Sequence, residues 1–232
     1  MNTYSPQAFF NLDHALAVAL FNGIKYVWDA VVALPAFIEK NLKPEIKGEV
    51  EDGAWLEPGL VSLGEGSRVE RGSIIRGPTI IGKNTTIRSG AYIRGHVLIC
   101  DECVVGWGTE MRQTLLLNKA RVPHSNAVMT SLIGNRVNVA GRVSTANYRL
   151  DGHEVFIHVP IDGETRSFPT GSTLFGAVVG DDTQLGGNCL LQPGTIIGKR
   201  CLIYPHIDVS GYIPHDSMVK RKETPFEIVP KK

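Results

Sequence analysis

The chain has no excess of either charge sign: 24 Lys and Arg stand against 23 Asp and Glu in 232 residues. Such a balance exerts no general pull on nucleic acid or on a membrane surface, so any anion site must be local. No basic residue precedes Lys25, which removes the charged start of a secretory signal, and Asp13, Lys25 and Asp29 interrupt the N-terminal apolar stretch well below the roughly 20 residues a membrane span needs. A cytoplasmic protein with no membrane span is expected. Cysteines number only four, too few for a disulfide framework in a chain of this length. Cys100 and Cys103 form a C-x-x-C pair but lack a second pair at ligand spacing, so no metal is expected, and Cys103, Cys189 and Cys201 read as small interior hydrophobes of the repeat described next.

What the chain has in quantity is one period. Leu63, Val69, Ile75, Ile81, Ile87, Ile93, Ile99, Val105, Met111 and Leu117 follow one another at six-residue steps, and Val179, Leu185, Leu191, Ile197, Ile203 and Val209 resume the step after two changes of phase around Ile133 and Val139. No helix has this period; it is that of a parallel β-helix whose triangular coil takes three hexads. Two places before the aliphatic stand small residues, Ser67, Ser73, Thr79, Thr85, Ala91, Cys103 and Thr109, then Thr183, Cys189, Thr195 and Cys201, as a narrow interior shared with a large side chain requires. A solenoid of this kind buries its core without a globular shape.

Three segments frame the repeat. Residues 1–45 read as helical: Ser5-Pro6 looks like a cap and first turn, and Leu12, Leu16, Leu20, Ile24, Val27 and Val31 predict one amphipathic helix over 6–33 that ends before Pro35, with a short piece to Leu42. This segment is expected to pack along the solenoid, to cap its end or to make an oligomer contact. Residues 46–222 form the β-helix, with insertions expected at 118–132 and 146–173, and 223–232 form a tail. In the second insertion two Asp-Gly pairs flank alternating residues from His153 to Val159, which predicts a β-hairpin arm.

The hexads resemble the left-handed β-helix acyltransferases. More narrowly, Gly90-Ala91-Tyr92-Ile93-Arg94-Gly95, Glu110-Met111-Arg112, Pro123-His124, Val137-Asn138 and Asn147 are similar to the acetyltransferase domain of bifunctional N-acetylglucosamine-1-phosphate uridylyltransferases and of sugar-1-phosphate nucleotidylyltransferase-like proteins. The handedness comes from this resemblance, since the period alone does not set it. The full-length relatives carry a nucleotide-binding domain ahead of the β-helix. Here the first 50 residues read as helical and no Gly-rich phosphate loop is followed by a basic residue, so nucleotidyl transfer by this chain alone is not expected.

The resemblance implies acetyl transfer from acetyl-CoA to an amino sugar phosphate, glucosamine-1-phosphate-like, in a homotrimer whose sites lie between adjacent prisms. His124 falls on the family's catalytic base; Arg94 and Arg112 on positions that hold the phosphate; Asn138 and Asn147 on positions that contact the sugar and orient the base. Gly186 and Gly187 would face the thioester, and Lys220, Arg221 and Lys222 would neutralise the coenzyme's phosphates. The period adds that Arg94 and Arg112 share one place in their hexads, so they should stack one coil apart, about 4.8 Å, on one edge. The chain departs from the family pattern at Ala127, where a tyrosine is usual, at Met129-Thr130 and at Arg142, whose bulk and charge would fill the pocket or favour a more acidic ligand. These departures keep a second reading open: a non-catalytic sugar-phosphate or sugar-nucleotide-binding subunit beside a separate nucleotidylyltransferase.

Overall fold

The computed structural model describes residues 3–222; the expected tail at 223–232 lies outside them. The repeat coils as a left-handed parallel β-helix with three faces. Face 1 is a nine-stranded sheet from Glu49–Val50 to Met218–Val219, face 2 runs from Trp55–Leu56 to Asp208–Val209, and face 3 from Val61–Leu63 to Tyr212–Ile213. All neighbouring strands on these faces pair parallel, and the regular coils advance by 18 residues, as in Ile75 opposite Ile93 and Leu185 opposite Ile203.

The interior is built as the two-residue rule requires. Every aliphatic of the hexads from Leu63 to Met111 and from Val179 to Val209 is buried in one continuous core. The small residues are buried with them, and several also serve the backbone. Thr85 Oγ1 donates to Cys100 O (3.0 Å) and accepts from Cys103 N (3.0 Å); Thr109 Oγ1 donates to Val122 O (3.1 Å), and Thr183 Oγ1 to Gly198 O (2.9 Å). Each hydroxyl thus satisfies backbone groups that the sharp corner removes from the ladder, groups that would be costly to bury unpaired. Cys103 Sγ does the same toward Leu117 O at 3.0 Å.

The run of interior aliphatics breaks one position earlier than the period predicts. Leu116, not Leu117, faces the interior; Leu117 is buried on the outside. The cause lies at the corner between faces 2 and 3. Earlier coils turn there on two residues, Gly95 and His96, whereas strand Glu110–Leu116 crosses the corner on Gln113 alone, and strand Ala127–Ile133 on Thr130 alone, both with positive φ. Coils then advance by 17 residues, as in Met111 opposite Val128. The expected insertion at 118–132 is therefore a lost residue: that segment lies in register within the coils. The second insertion is real, since Thr145 pairs with Leu191, and the chain leaves the prism at the same corner. Its hairpin, Phe156–Ile161 with Glu164–Pro169, closes on Asp162-Gly163 with both φ values positive, as a two-residue turn of this sequence favours.

The hairpin does not project as an arm. It folds onto the outside of face 3 together with the N-terminal segment, where Ile80, Leu98, Leu115, Leu132, Val178 and Ile196 form one outward column buried under Phe9, Phe21, Trp28, Leu34, Ile38 and Ile157. The N-terminal segment is three helices, α1 (Pro6–Phe9), α2 (Ala15–Phe21) and α3 (Asp29–Asn41), in place of one helix over 6–33. The apolar spacing reports a buried face but not helix continuity. Between α1 and α2 the chain is extended and bound to a prism edge, with Asn11 N donating to Asp181 Oδ2 (2.6 Å) and Asp13 Oδ1 accepting from Asn118 (3.0 Å), and Gly23 at φ +80° follows α2.

Pro35 lies inside α3 where a helix end was expected. Proline has no N–H for the carbonyl four residues back. That carbonyl, Val31 O, accepts instead from the Gln113 side-chain amide at 3.2 Å, so the shortened corner satisfies the group that proline leaves free. Gln113→Ala should cost about 1 kcal/mol in urea unfolding, and less in a Pro35→Ala background, where the backbone N–H is restored; equal costs in both backgrounds would contradict the coupling.

Cys100 and Cys103 face different cores, Cys103 the prism interior and Cys100 the helix-covered outside of face 3. Burial pushes the Cys103 thiol up to about 12 and Cys100 up as well. The four free cysteines are all buried, so a thiol reagent at neutral pH should label none of them in the native protein and all four in denaturant.

Candidate active site

His124 ends strand Arg121–His124 at the corner between faces 1 and 2, with its side chain exposed. Two columns of stacked residues define this edge. Trp107, His124, Gly141 and Gly187 follow one another up the first; Gly108, Ser125, Arg142 and Asn188 up the second. Every residue of the second column has a positive φ. The chain approaches itself closely here: a Cβ on Gly106 would lie 1.7 Å from Pro123 O, so only glycine fits beneath the Pro123-His124 step. Trp107, His124, Ser125, Gly141, Arg142 and Asn188 line an open cleft of about 410 Å³.

Arg94 and Arg112 stack as the period requires, in a column that runs from Glu57 through Arg76 and continues to Met129. The column stands at the far edge of face 2. Met129, stacked over Arg112, lies five positions after His124, so the width of the face separates the arginines from the histidine. Arg94 is already paired, its Nη1 donating to Glu110 Oε1 at 2.6 Å, while among the described residues Arg112 makes no ion pair. Ala127 stands on Glu110 in the middle of the face, where the family's tyrosine would be.

The asparagines separate. Asn147 sits at the neck of the insertion, its Nδ2 donating to Thr130 Oγ1 (2.9 Å) and its carbonyl accepting from Phe175 N (2.8 Å), so it ties the departing chain to the shortened corner. Asn138 lies round the corner on face 1, in a groove of about 310 Å³ with Ala140, Gln184, Gly186, Leu202, Tyr204 and Pro205. Gly186 is required there, since a Cβ would lie 2.5 Å from Pro205 N. Gly187 belongs to the His124 column. Arg221 donates to His206 O through Nε (3.1 Å) and Nη2 (2.6 Å). Lys220 stands over Tyr204 at the end of the groove and Lys222 ends the described residues.

Two residues at the His124 edge were not singled out by residue type. Trp107 is 65 % exposed beside the histidine. Asn126 occupies the small interior position two residues before Val128; its Oδ1 accepts from Val143 N at 2.8 Å and its buried Nδ2 has no partner. The signal for Trp107 was present: a large aromatic beside a corner that is otherwise kept small. No group of His, Cys, Asp and Glu among the described residues could hold a metal ion, and none of their helices is long and apolar enough to cross a membrane.

Comparison with known proteins agrees with this architecture. The model described as bacterial transferase hexapeptide (six repeats) matches residues 60–95, and that of the hexapeptide repeat of succinyl-transferase matches 176–204, one in each run of hexads. The "Bifunctional protein GlmU" of Methanococcus vannielii is 31% identical over 203 residues, which cover 88% of this chain and 47% of that protein. The "Putative uncharacterized acetyltransferase YaiX" of Escherichia coli K12 is 28% identical over 223 residues, covering 92% of this chain and 95% of that protein. Both runs of hexads thus carry the hexapeptide repeat of bacterial transferases, which fits a hexapeptide-repeat acyltransferase. The chain spans about half the length of the GlmU relatives it matches. Among solved structures, the UDP-N-acetylglucosamine acyltransferase of Francisella novicida covers 76% of this chain and 60% of its own, at 15% identity and a TM-score of 0.49.

Proposed function

We propose that the chain transfers an acetyl group from acetyl-CoA to the amine of an amino sugar phosphate, with His124 as general base. The observation that carries this reading is one outward column on face 1: Pro123, Ala140, Gly186, Tyr204 and Lys220 stand in register up the prism. It is free of bulky side chains from Pro123 to Gly186 and ends in a cation. Four strand spacings separate its ends, about 19 Å, room for an extended pantetheine arm whose thioester reaches His124 while its phosphates lie near Lys220. The names of the relatives, an acetyltransferase and a bifunctional sugar-1-phosphate nucleotidylyltransferase/acetyltransferase among them, support the same chemistry.

In this mechanism the substrate amine attacks the thioester carbonyl, the His124 imidazole takes the proton the nitrogen loses, and the C–S bond breaks to release CoA as a thiol once the proton is passed on. The Gly187 backbone N–H would face the carbonyl oxygen as charge develops on it, whereas the N–H groups of Gly186 and Asn188 already donate to Ile203 O (2.8 Å) and Gly141 O (2.9 Å). A homotrimer is part of the reading: helices and hairpin occupy face 3, so faces 1 and 2, which meet at His124, are left for adjacent prisms.

Thiol release from acetyl-CoA, measured with glucosamine-1-phosphate and other amino sugar phosphates, tests the proposal. His124→Ala should lower kcat by about 100-fold or more without loss of the folded trimer. Absence of turnover with every acceptor, together with absence of acetyl-CoA binding by calorimetry, would overturn it in favour of a sugar-phosphate-binding subunit that serves a separate nucleotidylyltransferase.

A further inference from the structure

The sequence resemblance assigns the acceptor's anion to Arg94 and Arg112, yet the cleft beside His124 has a cation of its own. Arg142 lines it with Trp107 and His124, and no lining residue is acidic. Arg94, Arg136, Arg149 and Arg200 each face a carboxylate; among the described residues Arg142 makes no ion pair. Its backbone stands at φ +60°, in a corner column where Gly90 and Gly108 occur at the same place with φ +73° and +65°. A long side chain is held there against the local preference for glycine or asparagine. Its N–H donates to His124 O at 3.0 Å, which fixes Arg142 directly above the histidine's peptide.

The opposite wall is Trp107, paired in register with His124 one coil below. The indole stands against Gly90, where a Cβ would come within 3.1 Å of its Cδ1, and is otherwise open to the cleft. Trp107, His124 and Arg142 lie in three successive coils, so the two walls are about 10 Å apart. That is the reach of one hexosamine ring with an anionic substituent.

We propose that Arg142, and not the Arg94 and Arg112 column, holds the acceptor's anionic group, and that the acceptor's sugar ring stacks on Trp107 so that its amine faces His124. The assignment rests on the acceptor binding beside His124, as in the function proposed above. It accounts for the departure from the family pattern at Arg142, because the phosphate site moves from the far edge of face 2 to the histidine's own edge, while Ala127 leaves the middle of that face bare.

Calorimetric titration of the intact protein with glucosamine-1-phosphate, glucosamine and CoA tests this without requiring turnover. The wild type should bind glucosamine-1-phosphate about tenfold tighter than glucosamine or more, the value of a charge-assisted contact. Arg142→Gly, which accepts a positive φ without strain and so keeps the fold, should erase that preference, and Arg112→Ala should keep it. Trp107→Ala should weaken both sugars by about threefold to tenfold and leave their ratio unchanged. The proposal is overturned if neither sugar binds the wild type, if Arg112→Ala removes the preference while Arg142→Gly keeps it, or if Arg142→Gly weakens CoA and not the sugar phosphate. Should acetyl transfer be absent while the Arg142-dependent preference persists, the acyl-transfer reading fails and this assignment stands.

Discussion

The narrowness of the prism interior is the constraint on which the structure depends. Each face places a large aliphatic inward beside a residue that is in most coils small, and several of the small ones also serve the backbone. Thr85, Thr109 and Thr183 show how: a single hydroxyl fits the space, donates to a carbonyl at the corner and, for Thr85, receives an N–H as well. A one-residue slip would bring an outward side chain into that space and remove the hydroxyl from the corner together. Register is therefore fixed along the whole length, and fixed register makes columns: the arginines, the His124 edge and the Lys220 groove are all consequences of residues stacked coil upon coil.

Against that regularity, one lost residue organises the rest. Where Gly95 and His96 turn the corner in one coil, Gln113 and then Thr130 turn it alone in the next two, and the following coil uses the same corner to release the hairpin. The tightened corner is also where α3 is anchored, through Gln113 to the carbonyl that Pro35 leaves unpaired, and where Asn147 is held by Thr130. Face 3 is closed to solvent by these additions. The function proposed above uses the opposite edge, between faces 1 and 2, the edge most distant from the covering segments.

The coils were legible because their signal is strict: aliphatics keep the six-residue spacing from Leu63 to Met111, with a small residue two places before all of them but Leu63 and Ile99, which follow Val61 and Val97. The covered face was legible too, in a feature that spacing alone passes over. Thr79-Ile80-Ile81, Val97-Leu98-Ile99, Ala177-Val178-Val179 and Thr195-Ile196-Ile197 are apolar or small throughout and buried at all three positions, the mark of strands buried on both sides. The helix breaks were not legible. Leu12, Leu16, Leu20, Ile24, Val27 and Val31 keep helical spacing across two interruptions, because what they share is one receiving surface; Asp181 and Asn118 on the prism, far away in sequence, decide that Asn11 and Asp13 are extended. Of the residues read by motif, His124 ends its strand at the edge between faces 1 and 2, whereas Asn147 is engaged in holding the insertion's neck.

An edge made of left-handed corners gives the site its character. At Gly108, Ser125, Arg142 and Asn188 the backbone turns too sharply for most side chains to be comfortable, and beside them Gly141 and Gly187 offer none at all. In the function proposed above a thioester and an amine are brought against this edge where Gly141 and Gly187 leave it open, the corner N–H groups of Ser125, Arg142 and Asn188 being engaged by the coil below. Selectivity suffers, since bare backbone distinguishes poorly between ligands. Only the few side chains that the edge does carry can restore it, and in the assignment proposed above Trp107, one coil below His124, does so by shape and Arg142, one coil above and beside Gly141, by charge. Under those proposals, transfer at the edge and recognition by its exceptions follow from the same corner geometry.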